Sequence, residues 1–95
     1  MNVDSNQARK ALVAFVIERE LLKIGKGVFD QVTNRLYEEH HCYLEDCYEH
    51  PEYLAKVLKG LFGNSHTVIV ESIKKELVDF TEHEQIERFL KIISV

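Results

Sequence analysis

No apolar run in the chain exceeds seven residues, at 11–17, far below the ~20 needed to cross a bilayer. Proline occurs once, glycine four times and cysteine twice in 95 residues, 45% of which are hydrophobic. That balance excludes a disordered chain, which would be poor in Leu, Ile, Val and Phe. The start, Met1-Asn2-Val3-Asp4-Ser5-Asn6, carries neither a basic n-region nor a small-residue cleavage site. No lipidation signal is visible in Met1-Asn2 or in Ile93-Ser94-Val95. With no export signal and two cysteines, reduced thiols in the cytoplasm are expected, and no membrane.

Catalytic signatures are missing as well. The sequence has no Gly-rich phosphate cradle, no Gly-x-Ser-x-Gly elbow, no His-Glu-x-x-His and no dinucleotide fingerprint. It is also short for an enzyme with its own pocket, so catalysis is not expected. Cations are lacking between Arg35 and Lys56, where Glu38, Glu39, Glu45, Asp46, Glu49 and Glu52 all fall. The net charge of −4 therefore comes from one local acidic patch. Bulk electrostatic binding of nucleic acid or anionic lipid would need the opposite sign.

What is present fits a single domain over 1–95, able to bury somewhat more than ~60% of its unfolded surface. Five helices are expected. The first spans Ser5–Ile24 behind an Asp4 or Ser5 cap, with Ala8, Ala11, Leu12, Phe15, Val16 and Leu22 at helical period. Val13, Ala14 and Ile17 widen this stripe almost to the full circumference, as in a central helix or one covered by a partner. Gly25-Lys26-Gly27 ends it, glycine being free to take φ > 0. The second, 28–40, shows Phe29, Val32, Leu36 and His40 on one face. The third opens at Pro51, aligns Leu54, Val57, Leu58, Leu61 and Phe62, and stops at Gly63. Asn64 or Ser65 caps the fourth, whose Ile69, Ile73, Leu77 and Phe80 share a face, although 67–70 alone has strand propensity. Thr81-Glu82-His83-Glu84 reads as a capping box for the fifth, with Ile86, Phe89, Leu90 and Ile93 inward. Short connections between such helices make a compact all-α bundle.

The longer connection, 41–50, concentrates the side chains able to do chemistry. Both cysteines, two of the five histidines and nearby tyrosines crowd there, with a third histidine, His40, just before it. Cys42 and Cys47 with His50 and either His40 or His41 would form a Cys₂His₂ set for Zn²⁺. The Cys-x₄-Cys-x₂-His spacing is not a common zinc spacing. The same residues also read as a histidine on a helix C-terminus, buried small hydrophobes, an N-cap before Pro51, or a Cys42–Cys47 disulfide. Acidic neighbours disfavour either thiolate as a nucleophile.

Two other readings concern partners. The 58–65 junction resembles a helix-turn-helix, which would place Lys56, Lys59, Lys74 and Lys75 on DNA phosphates. The following residues, His66-Thr67-Val68-Ile69-Val70-Glu71, read base edges poorly, so nucleic acid is the third choice after zinc. The favoured expectation is a small helical binding or regulatory module. It meets a protein partner, or a second copy as a homodimer, through the apolar surface of its first and last helices.

Overall fold

A computed structural model describes residues 5–95. Asp4, one of the two expected caps of the first helix, lies outside the described residues. Helix α1 covers Ser5–Ile24, α2 Lys26–His40, α3 Pro51–Phe62, α4 His66–Leu77 and α5 Glu84–Ile93. Three 3-10 turns, Leu44–Tyr48, Gly63–Ser65 and Val78–Phe80, join the later helices, and no described residue is in a strand. The all-α bundle inferred from periodicity is therefore present, and the β-branched 67–70 stretch is helical.

Val13, Ile17, Leu21, Val32, Leu36, Leu54, Leu58, Ile73, Leu77, Ile86, Phe89 and Ile93 are fully enclosed. They come from every helix, so one core serves the whole chain. Helix α1 packs on α2, α4 and the first 3-10 turn; α3 packs on α2, α4 and α5. The radius of gyration, 12.7 Å, matches the about 12.4 Å expected of a compact chain of this length.

Local details depart from the sequence reading in four places. Gly25 alone separates α1 from α2, in extended backbone rather than the left-handed region. Its carbonyl already accepts the Phe29 N–H at 3.1 Å, so α2 starts at Lys26, two residues earlier than expected. The capping box at 81–84 is not formed: Thr81 Oγ1 donates back to the Val78 carbonyl at 2.9 Å and closes the 3-10 turn. That turn also ends α4 at Leu77 and leaves Phe80 exposed instead of on the inward face. On α1, Val13, Val16, Ile17 and Leu21 are the buried apolar residues, while Ala8, Ala11, Phe15 and Leu22 face outward. The helix carries two overlapping apolar stripes, and the one with β-branched bulk fills the space against α2 and α4.

Candidate functional site

The 41–50 connection is a folded element. Helix α2 stops because His41 takes φ 54° and ψ 37°. Its N–H donates to the Tyr37 carbonyl at 2.9 Å, and the Cys42 N–H reaches that of Leu36 at 3.4 Å. These bonds satisfy helix-end carbonyls in a position that glycine normally takes. An L-residue there costs about 1–2 kcal/mol, partly offset on substitution by the greater freedom of glycine in the unfolded chain. His41→Gly is accordingly expected to raise stability by up to about 1 kcal/mol. A urea titration should show this as a higher midpoint at unchanged slope.

The next turn is wound by Asp46, whose carboxylate accepts the Tyr43 N–H at 2.9 Å while its own N–H donates to the Tyr43 carbonyl at 3.0 Å. Leu44, Cys47 and Tyr48 point inward, and the Tyr48 hydroxyl meets Asn6 Oδ1 of α1 at 3.1 Å. Lys10 of α1 donates to Glu49 at 2.7 Å. That hydrogen bond, helped by the charges of Glu49, Asp46 and Glu45, raises the lysine above its ordinary pKa. One cation from α1 thus compensates part of the acidic patch.

The five residues considered for zinc lie in different settings. His40 stacks on Tyr53 of α3, with ring centres 4.2 Å apart and planes 9° from parallel. Its Nε2 is shut away from solvent without a hydrogen-bond partner. His50 stacks on the same tyrosine at 4.9 Å, and its Nδ1 faces Glu52 at 3.3 Å. His41 is exposed and sets its ring edge-on to Tyr37 at 5.7 Å. The Cys42 thiol donates to the His40 carbonyl at 3.3 Å and the Cys47 thiol to that of Tyr43 at 3.8 Å. Both cysteines are free and buried. Among the described residues, no three His, Cys, Asp or Glu side chains converge as a metal set. A tetrahedral set here requires both thiols to leave their carbonyls and a histidine to unstack from Tyr53 or turn from Tyr37.

The thiols are held in the protonated form. Burial first, then the charges of Cys42, Asp46, Glu45 and Glu52, pushes Cys47 up to about 12. Burial, then Asp46 and Glu52, also raises Cys42. Neither is set up as a nucleophile, because the thiolate is the reactive species.

Two surfaces carry more than the 41–50 segment suggested. Phe15 is 56% exposed on α1, beside a depression of about 300 Å³ lined by Ala11, Ala14, Glu18, Leu44 and Glu45. The near-circumferential apolar pattern of α1 was its sequence signal. The second is a cleft along α3, which the sequence showed only as Lys56 and Lys59, considered for phosphates. Helix α5, in contrast, buries Ile86, Phe89, Leu90 and Ile93 and turns Glu84, Gln85, Glu87, Arg88 and Lys91 outward. Much of the apolar surface expected of the last helix is therefore taken up by the domain's own core, while Ile92 stays half-buried and Val95 exposed. Among the described residues, no helix is long and apolar enough to cross a membrane. No known family, curated protein or solved structure matches the chain.

Proposed function

We propose that the chain is a small binding module that acts through protein–protein contacts, and that it meets a second copy of itself through the outer face of α1. The observation that carries this reading is the exposed stripe Ala8, Ala11, Phe15 and Leu22, which α1 leaves outside a core already complete. The stripe suits an antiparallel pairing. With two Phe15 side chains at the twofold axis, Leu22 of one copy lies opposite Ala8 of the other, large against small. The depression floored by Ala11 and Ala14 receives the other copy's aromatic ring. A self-complementary patch of this kind is what an isologous dimer requires.

The stripe is only ~21 Å long at the helical rise, and covers much less than the ~800 Å² per partner of a standard interface. Association is thus weak and reversible. Sedimentation velocity over a concentration series should give a mass rising from monomer toward dimer, and Phe15→Glu should remain monomeric with an unchanged far-ultraviolet spectrum. A wild-type monomer at millimolar concentration would remove the reading.

Protonated, enclosed thiols support binding over catalysis. The DNA reading finds less support at the start of α4. There His66 Nδ1 contacts the Gly63 carbonyl at 2.8 Å and Thr67 Oγ1 donates to that of Asn64 at 3.0 Å. Their polar groups are used within the turn, leaving Val68 and Glu71 facing outward.

A further inference from the structure

We infer that the cleft along α3 binds a small anionic amphiphile, an acyl or aryl carboxylate, independently of the α1 surface. The cleft is an open groove of about 500 Å³ between the C-terminal ends of α2 and α5, within the usual volume range for small-molecule sites. Its apolar wall is made by Ala55 of α3, Ile92 of α5 and Val95, with Tyr53 held upright by its stack on His40, and its charged lining is Lys56, Lys59 and the carboxylate of Glu52. That stack matters because a tyrosine fixed by a neighbour gives a rigid wall with little side-chain entropy left to lose.

The charge at the rim chooses the ligand. Lys56 and Lys59, three residues apart on one face of α3, both line the cleft and both are exposed. Most other cations of this acidic chain are engaged, Lys10 with Glu49, Arg19 with Glu76, Lys23 with Glu20 and Lys91 with Glu87 among them. Among the described residues, no carboxylate lies within ion-pair distance of Lys56 or Lys59. Glu52 stands four residues before Lys56, the spacing of a helical ion pair, but its Oε2 turns to His50 at 3.3 Å. Two adjacent ammonium groups above an apolar floor are complementary to one anionic head on an apolar body. A neutral alcohol would fill the floor and leave the lysines unused, and a cationic amphiphile would be repelled.

Sodium octanoate is the probe, followed by ¹⁵N–¹H correlation spectra of the whole chain, with octanol and octylammonium as controls. Saturable shifts confined to residues 52–59 and the end of α5 are expected with octanoate, and binding about tenfold weaker with octanol. Lys56→Gln with Lys59→Gln should reduce octanoate affinity about tenfold while leaving octanol binding unchanged. Both lysines are exposed, so the variant keeps the wild-type spectrum elsewhere. Ile92→Trp, which fills the cleft, should abolish binding of both. The inference is overturned by the absence of shifts at millimolar octanoate, by equal affinity for octanol, or by wild-type affinity in the double variant. Shifts at Phe15 and Ala11 instead would place the amphiphile on the α1 surface and equally overturn it. Self-association is read separately, by the mass of Phe15→Glu, so failure of one proposal leaves the other standing.

Discussion

Tyr48→Ala is expected to lower the unfolding free energy by about 3–5 kcal/mol, the range for deleting a large enclosed aromatic side chain. Tyr48 is 2% exposed, on the acidic, tyrosine-rich segment that the sequence marked as a place for chemistry. Its ring joins the 3-10 turn to the core shared with α1, and its hydroxyl bonds Asn6 at 3.1 Å. Removing the ring opens a cavity between the turn and α1 and frees the turn at its centre. Tyr48→Phe keeps the ring and loses one hydrogen bond, so it should cost only about 0.5–1.5 kcal/mol. Chemical denaturation of both variants separates packing from hydrogen bonding. Equal losses would mean that Asn6, not the ring, holds the turn. A domain of this size has roughly 5–15 kcal/mol in total, so the alanine variant should be partly unfolded near body temperature.

Raising the pH above 9 should destabilise the protein steeply, with Cys47 the main cause. The thiol titrates near 9.0 when unfolded and near 12 in the fold. Below pH 9 both states hold the proton, and the stabilising contribution is complete. Between 9 and 12 the unfolded chain releases the proton while the fold retains it, so stability falls as pH rises. Three pKa units correspond to a loss on the order of 4 kcal/mol by pH 12. Denaturant midpoints measured from pH 7 to 11 should show the decline, and Cys47→Ala should flatten it relative to its own neutral value. The same burial protects the thiol from alkylation in the native state. Its thiolate fraction at pH 8 is about a thousandfold below that of a free cysteine, so label should enter only after unfolding. Rapid native labelling of Cys47, or an alkaline profile equally steep in the alanine variant, would contradict the assignment.

How much of this was legible in the sequence depends on the range of the interactions involved. Pro51 opening α3, Gly63 ending it and the Ile86–Phe89–Leu90–Ile93 face of α5 follow from local rules, and each is found where those rules put it. The location of the unusual segment was legible too, since its composition departs from the rest. Its internal geometry was not. A left-handed His41 and an Asp46-wound turn send two cysteines inward while His40 and His50 meet at one tyrosine of α3. Spacing along the chain carries no trace of that shared partner. The missing capping box has a similar origin. Thr81 is within reach of either a new helix or the carbonyl of Val78, and the preceding 3-10 turn makes the second choice.

The sequence by itself determined that the fold is predominantly helical, where most helices begin and end, and that its acidity is confined to one window. Those properties arise from periodicity, caps and charge within a few residues, which no distant contact is needed to set. Tertiary structure decided which stripe of α1 faces the core and which remains outside. It also decided that both thiols stay protonated and that Lys56 and Lys59 of α3 share a cleft with Ile92 of α5. Each of these depends on which surface of one helix loses its water against another, and that is settled only when the helices pack.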